Sequence, residues 1–315
     1  MPQISILIST YKEEERFIRE SIESLLNQSF QDFEIILVND NPSRDEIKAI
    51  IDSYHDNRIR YIHNEKNVGL ALSMNIAAAS SHSDVLARMD ADDVAELNRL
   101  QKEFDIIRQK DVDLVFSAFT KINEDSKVIT EPPTQEQDSY GKSLSHAISL
   151  NPSIVHHPTV MMRKKIFDEV GGYRNFPCSQ DADLWLRLQE VNCKFYRIGC
   201  PLLKYRVNTR SISQKNWFRQ RLTWYYIFNL SVERLKTGGR DSYSLNDYND
   251  KMQEQGVDDA KSEAKLRKSY FYLQKGQSSN RIYRLLYRVL AFLSHPILRQ
   301  YVYNVKYKKK NSHLK

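Results

Sequence analysis

Three aspartates, Asp90, Asp92 and Asp93, closely follow an apolar run at residues 85–87 that has the character of a buried strand. Carboxylates grouped at the edge of a protein core are costly unless a positive charge neutralises them. A hard divalent cation that is itself bound to a diphosphate prefers such oxygen ligands. The Asp-x-Asp spacing therefore predicts a metal–phosphate site. An acidic surface turn is the alternative for the tripeptide taken alone.

A further carboxylate, Asp181, precedes a segment in which Leu184, Leu188 and Val191 recur at helical spacing. This spacing places Asp181 in the first turn of a helix, where its side chain could face a cleft. Asp183 is expected to be structural, because a negative charge near a helix N-terminus is stabilised by the helix dipole. In the alternative interpretation both carboxylates only stabilise the helix end.

The elements that must position these acids alternate between strand and helix. Short β-branched apolar runs predict strands, and apolar residues spaced three to four apart predict helices. The predicted strands span residues 4–9, 33–38, 59–62, 85–89 and 113–119, and the predicted helices span residues 13–28, 44–54 (after an N-cap at Ser43), 70–79 and 97–110. This alternation indicates an α/β fold with a Rossmann-like, mostly parallel sheet covered by helices.

In open sheets of this kind, ligands bind beyond the carboxyl ends of the strands. Polar clusters are predicted to meet at that edge: Ser9-Thr10-Tyr11, Asn39-Asp40-Asn41, Asn64 and Asp90-Ala91-Asp92. A single polar cluster at a strand end is common by chance, but several clusters at one edge are far less so. Their convergence therefore favours a functional site. Residues 120–140 predict a loop or hairpin, and residues 144–206 predict short strands and helices. Beyond about residue 212 the pattern becomes helical and basic.

The 315 residues carry their charge unevenly. Residues 1–200 contain 23 Lys and Arg against 32 Asp and Glu, whereas residues 201–315 contain 24 against 8. This split predicts an acidic catalytic body and a basic tail with its own partner. Three cysteines without metal-ligand spacing favour a reducing compartment. The sequence shows neither a signal peptide nor an apolar run of about 18 residues, so we expect a cytoplasmic protein.

Several motifs follow one another in a fixed order: Ile-Ser-Thr-Tyr-Lys-Glu at 8–13, Leu-Val-Asn-Asp-Asn at 37–41, Asn-x-Gly-Leu-Ala at 67–71, Met-Asp-Ala-Asp-Asp at 89–93, His-Pro-Thr-Val-Met-Met-Arg at 157–163, Gly-Gly-Tyr-Arg at 171–174 and Gln-Asp-Ala-Asp-Leu-Trp-Leu-Arg at 180–187. With them the chain resembles inverting glycosyltransferases of family 2 with the GT-A fold, and bacterial enzymes that extend capsule, exopolysaccharide or O-antigen units in particular. The resemblance spans roughly residues 3–210 and implies a nucleotide-sugar-binding half at residues 1–125 and an acceptor-binding half at residues 126–211. The sequence pattern adds a helical basic region at residues 212–315.

The resemblance implies a UDP-sugar donor and a bound Mn²⁺ or Mg²⁺. Asp92 would bridge the metal to both phosphates, and Asp90 would lie near the ribose and a metal-bound water. Oxygen ligands suit these ions, and the Cys or His spacing of a zinc site is absent. Asp93 is expected only to bond backbone amides of the next turn.

The nucleotide would be read at the ends of the first two strands. Thr10 and Asp40 match reading positions in the family, with Ser9 beside them, and a carboxylate suits the N3–H of uracil. Tyr11 could stack on the base or pack in the core. Glu13 is a candidate substrate contact or a helix-start residue.

The helix that follows Asn67 is a second candidate contact with the donor. Its free N–H groups could face donor oxygens, or Asn67 could merely form a tight turn. Many relatives carry Arg-Asn in this helix, whereas this chain carries Met74 and Asn75. Asn75 stays a candidate substrate contact, and Arg88 or Lys66 is expected to replace the missing cation.

Asp181 matches the catalytic base of the family, which deprotonates the acceptor hydroxyl opposite the departing diphosphate. Gln180 stands where many relatives carry an acid, so the base strength of Asp181 must come from other surroundings. His157 occurs where related enzymes also carry His. It could touch the metal or diphosphate, or be a packed loop residue. Phosphate binding or surface ion pairs are the alternatives for Arg163, Arg174 and Arg187.

The C-terminal segment combines a basic face with an apolar surface. Arg281, Arg284 and Arg288 share one helical face, Pro296 is expected to end that helix, and Lys308-Lys309-Lys310 follow. This pattern predicts that residues 281–315 bind the anionic inner surface of the cytoplasmic membrane. A helix docked on the catalytic domain with a solvated tail is the alternative. Because a tail is not a folded recognition module, we expect no nucleic-acid partner.

The patterns together predict a metal-dependent inverting glycosyltransferase, peripheral on the cytoplasmic face of the membrane. It would move a hexose or N-acetylhexosamine from a UDP-sugar to a polyprenyl-diphosphate-linked saccharide. One alternative is a sugar nucleotidyltransferase, which needs a Gly-rich basic loop that residues 9–14 lack. The other is a non-catalytic membrane or saccharide-binding scaffold, which Gln180 and Met74 keep open.

Overall fold

The computed structural model describes residues 1–130, 137–207, 217–277 and 296–311. Its sheet begins with parallel strands in the order β3-β2-β1-β4, which are β1 (Ile4–Thr10), β2 (Phe33–Asn39), β3 (Ile59–His63) and β4 (Val85–Arg88). β1 pairs with β2 from Ile4 opposite Phe33 to Thr10 opposite Asn39. The carboxyl ends of these strands therefore lie at one edge, as the strand–helix alternation predicted.

Beyond β4 the sheet is mixed, whereas the alternation predicted mostly parallel strands. This half contains β5 (Val94–Ala95), β6 (Leu114–Ile122), β7 (Val128–Thr130), β8 (Ser139–Tyr140), β9 (Val160–Arg163) and β10 (Phe195–Arg206). β9 lies antiparallel between β4 and β6, and β10 runs parallel to β6. A short turn joins β6 to β7, and a parallel pair would need a long crossover there.

Helices alternate with these strands along the chain. They are α1 (Glu15–Leu26), α2 (Glu46–Asp52), α3 (Leu70–Ala79), α4 (Arg99–Gln109), α5 (Gly141–Leu150), α6 (Lys164–Glu169) and α7 (Gln180–Glu190). The bounds of α3 are those that the sequence predicted. The prediction that Ser43 caps α2 is wrong, since its N-cap is Asp45. The Ser43 N–H instead donates to the side chain of Asn41 at 3.1 Å, which prolongs the turn after β2.

Apolar clusters cover both faces of the sheet. Successive strand residues point to opposite faces, so Ile6 packs in one cluster with Ile22 of α1, and Leu7 packs in the other with Met74 of α3. The helices thereby fix the positions of the strand ends, where the polar residues lie.

The chain divides into two compact units, Met1–Thr209 and Arg210–Lys315. The sheet and its helices form the first unit. The predicted division of residues 1–211 into a nucleotide half and an acceptor half stays a prediction.

The second unit contains α8 (Trp217–Thr237), α9 (Leu245–Glu254), α10 (Ala260–Gln277) and α11 (Pro296–Asn311). Tyr301 of α11 packs edge-on against Trp224 and Phe228 of α8. Lys308 is buried, with its Nζ 4.8 Å from the centroid of the Phe228 ring. One lysine of the predicted polybasic run is therefore part of the packing of this unit.

The predicted basic face of Arg281, Arg284 and Arg288 lies outside the described residues. Pro296 is the first residue of α11, a position that tolerates proline because its missing N–H has no helical partner. Within the described ranges, every helix is too short or too polar to cross a membrane.

Candidate active site

The three aspartates lie in the turn that links β4 to β5. Arg88, the last residue of β4, is buried, and its Nη2 lies 2.5 Å from Oδ1 of the half-buried Asp90. Desolvation and the negative charges of Asp90 and Glu13 raise the pKa of Asp92 to about 7. Burial and the neighbouring aspartates raise the pKa of Asp93 well above its ordinary value. The turn therefore carries more negative charge than Arg88 compensates.

Arg206, the last residue of β10, holds this turn in place. Its backbone N–H donates to Oδ1 of Asp93 at 2.8 Å, and its Nε donates to the carbonyl oxygen of Asp92 at 2.7 Å. Its buried guanidinium also lies 2.5 Å from the carboxylate of Glu20 and over the ring of Phe17. Asp93 was expected to bond amides of the next turn, but the amide that it bonds belongs to β10.

The loop after β1 is ordered by Glu13. Its Oε2 accepts hydrogen bonds from the hydroxyl of Thr10 at 2.8 Å and from the backbone N–H of Tyr11 at 2.6 Å. Glu13 thus closes the loop, and α1 begins after it with Glu14 as N-cap. Because the charge of Glu13 raises the pKa of Asp92, this loop and the aspartates share one edge, and Ser9 lies half-buried at the same end of β1.

Asp40, directly after β2, is buried and orders the loop that leads into α3. Its Oδ1 accepts from the side-chain amide of Asn64 at 2.8 Å and from the N–H of Val68 at 2.9 Å. Its Oδ2 accepts from the N–H of Gly69 at 2.8 Å, and Oδ1 of Asn67 accepts from the same N–H at 3.0 Å. A carboxylate has about four acceptor positions, of which these bonds to Asp40 use three, and the predicted uracil contact stays a prediction.

The side chains of Asn75 and Met74 contact other parts of the protein, a loop backbone and the apolar core respectively. The side-chain amide of Asn75 donates to the carbonyl oxygen of Tyr173 at 2.8 Å, and its oxygen accepts from the N–H of Tyr173 at 2.9 Å. Asn75 therefore anchors the 171–174 loop, and its predicted substrate contact stays a prediction. Met74 is fully buried in the core, where a cation would lose its solvation. Arg88 reaches this edge through its ion pair with Asp90, and Lys66 is exposed.

His157 is a packed residue beside the acidic turn. Its Nε2 lies 2.7 Å from the hydroxyl of Tyr173, and its ring packs edge-on against Tyr173 and Trp185. Burial and the positive charge of Arg88 lower the pKa of His157 well below its ordinary value, so the ring is neutral. This environment matches the packed-loop alternative.

Asp181 lies at the start of α7, one position after the buried Gln180. The N-cap, Ser179, has a φ of +57°, which is rare for a side-chain-bearing residue. Burial raises the pKa of Asp181, the N–H of Ala182 and the charge of Arg88 lower it, and the charge of Asp90 raises it further. Asp181 is therefore close enough to the Arg88–Asp90 pair to interact with both charges.

Asp183 is fully buried and structural, as the sequence predicted. It accepts hydrogen bonds from Nε of Arg187 at 2.8 Å and from Nε of Arg174 at 2.9 Å. Arg187 also donates to the carbonyl oxygen of Gly172 at 2.7 Å, and Nε of Arg163 donates to a backbone carbonyl at 3.0 Å. These arginines connect loops to helices inside the unit, so the surface ion pairs expected for them are wrong.

Comparison with known proteins identifies the family. A model described as glycosyl transferase family 2 matches residues 5–171. The chain is 34% identical over 228 residues to an uncharacterized glycosyltransferase of Methanocaldococcus jannaschii, an alignment that covers 71% of this chain and 78% of that protein. The chain belongs to glycosyl transferase family 2. This membership favours a glycosyltransferase over the nucleotidyltransferase and scaffold alternatives.

Other relatives of the glycosyltransferase have more specific names. It is 29% identical over 215 residues to the O-antigen biosynthesis glycosyltransferase WbnJ of Escherichia coli, covering 67% of this chain and 82% of that one. It is 25% identical over 225 residues to the E. coli UDP-Gal:alpha-D-GlcNAc-diphosphoundecaprenol beta-1,3-galactosyltransferase, covering 68% and 78%. The structure of S. aureus TarS 1-349 in complex with UDP-GlcNAc matches with a TM-score of 0.65 at 15% identity, covering 99% and 92%. This likeness confirms the GT-A fold.

The acidic turn of the glycosyltransferase fits the divalent cation that the family implies. Asp90 and Asp92 offer hard oxygen ligands, and Oδ2 of Asp93 has no hydrogen-bond partner among the described residues. The described ranges hold no group of three His, Cys, Asp or Glu side chains arranged as metal ligands. Mg²⁺ is commonly bound by one or two carboxylates, with substrate phosphates and water as the other ligands.

Sequence reasoning missed several residues that support this site. Nothing in the motifs marks Arg206. Arg99 and Glu103 have the four-residue spacing of an exposed helical pair, yet both are fully buried, with Nε and Oε1 3.2 Å apart. Arg99 also donates to the carbonyl oxygen of Arg88 at 2.7 Å. The burial of this pair could not be read from its spacing, because it depends on packing against distant segments such as the end of β4.

Proposed function

We propose that this glycosyltransferase moves a hexose or N-acetylhexosamine from a UDP-sugar, with inversion, to a lipid-linked saccharide of a bacterial surface polysaccharide. The observation that carries the proposal is the interaction of Asp181 with Arg88 and Asp90. This interaction supports the assignment of Asp181 as a base that acts next to the diphosphate. The names of the relatives support an O-antigen-type pathway and a diphosphoundecaprenol acceptor, and the TarS complex supports a uridine nucleotide.

The donor would bind along the edge formed by the ends of β1, β2 and β4. Asp92 and Asp90 would hold Mn²⁺ or Mg²⁺, which when bound stabilises the negative charge of the departing diphosphate. Asp40 and Thr10 would bind the uracil, and Tyr11 would stack on it or support it. Arg88 adds a buried positive charge whose Nε and Nη1 have no hydrogen-bond partner among the described residues.

Asp181 would act as the general base. Its carboxylate takes the proton of the acceptor hydroxyl as that oxygen forms a bond to the anomeric carbon. The bond from the anomeric carbon to the diphosphate oxygen breaks, and UDP leaves with the electron pair from the opposite face. Burial raises the pKa of Asp181, which makes it a stronger base than an exposed aspartate. The loss of the neighbouring acid at Gln180 is thus compensated by burial.

A screen of UDP-sugars tests the donor assignment. The full-length enzyme is incubated with UDP-glucose, UDP-galactose and their N-acetylated forms, with Mn²⁺, Mg²⁺ or a chelator, and UDP release is measured. We expect metal-dependent release from at least one donor, and its loss in Asp92→Ala. The absence of UDP release from every donor, with and without a polyprenyl-diphosphate-linked acceptor, would contradict the proposal.

Membrane binding through residues 281–315 is a separate part of the proposal. Sedimentation with vesicles of anionic phospholipid should carry the enzyme down, and neutral vesicles should not. Replacing Arg281, Arg284 and Arg288 by Gln should weaken this binding. Equal sedimentation with neutral vesicles would refute an electrostatic contact with the cytoplasmic face of the membrane.

A further inference from the structure

Asn75, in the second turn of α3, holds the loop that precedes α7. Its side-chain N–H donates to the carbonyl oxygen of Tyr173 at 2.8 Å, and its side-chain oxygen accepts from the N–H of Tyr173 at 2.9 Å. One carboxamide thus pairs with both backbone groups of a residue 98 positions away. Because Tyr173 is buried and a buried backbone group without a partner is costly, this pairing fixes the loop at that point.

The neighbouring glycine shows how closely the loop packs against Asn75. Gly172 has a φ of +67°, and a Cβ built there would lie 2.7 Å from Oδ1 of Asn75 and 3.0 Å from the ring of Phe167. A glycine allows both this backbone conformation and this close approach. The Gly-Gly-Tyr-Arg motif at 171–174 therefore forms the part of the loop that Asn75 contacts.

The other side of the loop is bonded to α7. Nε of Arg174 and Nε of Arg187 both donate to Oδ2 of Asp183, at 2.9 and 2.8 Å. Arg187 also donates from Nη2 to the carbonyl oxygen of Gly172 at 2.7 Å and from Nη1 to that of Val170 at 2.6 Å. Asp183 and Arg187 are buried, so water screens these bonds little. The loop thereby connects α3 to α7.

The side chain of Tyr173 adds a second connection to α7. Its hydroxyl lies 2.7 Å from Nε2 of His157, and the His157 ring packs edge-on against Trp185 of α7. All three side chains are buried. The residue whose backbone Asn75 holds therefore also contributes to the packing of this helix.

The start of α7, which carries Asp181, has no capping side chain of its own. The N-cap Ser179 has a φ of +57°, and its side chain makes no cap hydrogen bond. A capping side chain normally stabilises the first turn of a helix. Here the polar bonds of that turn run from Asp183 to Arg174 of the loop. The direction of Asp181 consequently depends on where the loop lies.

We propose that Asn75 is a positioning residue for Asp181, and that it acts by holding the loop at Tyr173 against which the first turn of α7 is set. This role rests on the proposed function, since it concerns the base of that reaction. It differs from the substrate contact that the sequence predicted for Asn75. The start of α3 is held separately, by the bonds of Asp40 to Val68 and Gly69, so loss of the Asn75 carboxamide leaves the donor edge in place.

Single-turnover transfer from the donor that the UDP-sugar screen identifies, with calorimetric titration of UDP and Mg²⁺, tests this role on the full-length enzyme. A general base must lie within hydrogen-bond reach of the proton that it removes. Asn75→Ala should therefore lower the transfer rate by about 10–100-fold. The affinity for UDP and the donor concentration that gives half of the maximal rate should both stay unchanged.

Ser83→Ala is the matched control, because it also removes buried hydrogen bonds between distant segments. Oγ of Ser83 donates to the carbonyl oxygen of Gln3 at 2.6 Å and accepts from the N–H of Val85 at 2.9 Å. These bonds lie at the end of β4 opposite to the acidic turn. Ser83→Ala should lower the melting temperature by a few degrees, as Asn75→Ala should, and should leave the transfer rate unchanged.

Combination with the base variant separates positioning from general damage. If Asn75 acts through Asp181, the double variant Asn75→Ala/Asp181→Asn should transfer as fast as Asp181→Asn alone. Asn75→Asp keeps the shape of the side chain and the bond from the N–H of Tyr173, but it loses the bond to the carbonyl oxygen. It should also lower the rate at unchanged UDP affinity, and it serves as the test if Asn75→Ala does not fold.

The possible outcomes distinguish this role from its alternatives. A wild-type transfer rate in the Asn75 variants, or rate losses that multiply in the double variant, would overturn the positioning role. Weaker donor binding in Asn75→Ala would also overturn it and would support a direct substrate contact. A wild-type rate in Asp181→Asn would contradict the proposed function itself, whereas a slow Asp181→Asn beside an unimpaired Asn75→Ala would leave that function standing.

Discussion

The guanidinium of Arg206 donates a hydrogen bond to the carbonyl oxygen of Asp92 at 2.7 Å, although 114 positions separate the two residues along the chain. The same side chain bonds Glu20 of α1 and the 123–126 turn that follows β6. The geometry of the acidic turn therefore depends on the end of β10. A single buried side chain connects the metal-binding candidate to three other segments of the first unit.

Replacing Arg206 should damage both stability and nucleotide binding. Arg206→Met leaves the partners of a buried guanidinium unpaired, so we expect a loss of about 2–4 kcal/mol in the free energy of unfolding. Weaker UDP binding should accompany it. Arg16 forms an exposed ion pair with Glu14, so Arg16→Met should cost less than about 0.5 kcal/mol. Chemical denaturation and calorimetric titration with UDP measure both effects, and equal losses in the two variants would contradict this role.

The charge of Asp92 should favour binding of the metal and UDP but lower the free energy of unfolding of the protein without them. The pKa of Asp92 is about 7 in the folded state against an ordinary value of 3.8, so the folded state binds this proton more tightly than the unfolded state. Without metal, the free energy of unfolding should therefore fall as pH rises from about 4 towards 8. Asp92→Asn should be more stable than the wild type at pH 8, by on the order of 2 kcal/mol, and should lose metal-dependent UDP binding.

Burial also raises the pKa of Glu103 to about 7. Comparison of Asp92→Asn with the wild type therefore separates the contribution of Asp92 to the pH dependence from that of Glu103. In Asp92→Asn the part of the pH dependence that belongs to Asp92, together with its effect on the pKa of Asp93, should vanish, and the part that belongs to Glu103 should remain. A variant that is less stable than the wild type at pH 8, in the presence of a chelator, would show that repulsion at the turn is not the dominant effect.

Two neighbouring glycines separate backbone strain from crowding in the loop before α7. Gly171 and Gly172 have φ values of +74° and +67°, but a Cβ on Gly171 would meet nothing within 4 Å, whereas one on Gly172 would lie 2.7 Å from Oδ1 of Asn75. Gly171→Ala should cost about 1 kcal/mol from strain alone, and Gly172→Ala about 1–2 kcal/mol more. The ring of Phe167 would lie 3.0 Å from the same Cβ at position 172. Thermal unfolding of both variants gives the difference, and equal values would mean that neither Asn75 nor Phe167 crowds this position.

Local sequence patterns correctly predicted those strands and helices that are determined by the hydrophobic pattern of their own residues. The strands of the parallel half and the bounds of α3 follow from hydrophobic runs and small residues, and the polar ends of β1, β2 and β4 were expected at one edge. The cap of α2 was wrong because the side chain of Asn41 continues the preceding turn. The short β6–β7 turn accounts for one antiparallel pair, whereas the antiparallel position of β9 between β4 and β6 had no signal in the local sequence.

The supporting partners of the site depend on long-range packing, and sequence could not supply them. Asp40 was singled out as a nucleotide contact, but its bonds to the loop before α3 became visible only with the fold. The buried pair of Arg99 and Glu103 has the same spacing as an exposed one. Arg206 belongs to no motif, because its partners come from α1, the turn after β6 and the acidic turn.

The central claim is that Asp181 removes the proton of the acceptor beside a donor held by Asp90 and Asp92. The most direct test is single-turnover transfer by Asp181→Asn, with UDP binding measured by calorimetry on the same preparation. Asp168→Asn, an exposed acid paired with Lys164 on α6, serves as the matched control. Loss of a general base predicts a transfer rate lowered by about 10²–10⁴-fold with unchanged metal-dependent UDP affinity, and a control at the wild-type rate. Transfer by Asp181→Asn at the wild-type rate would contradict the account.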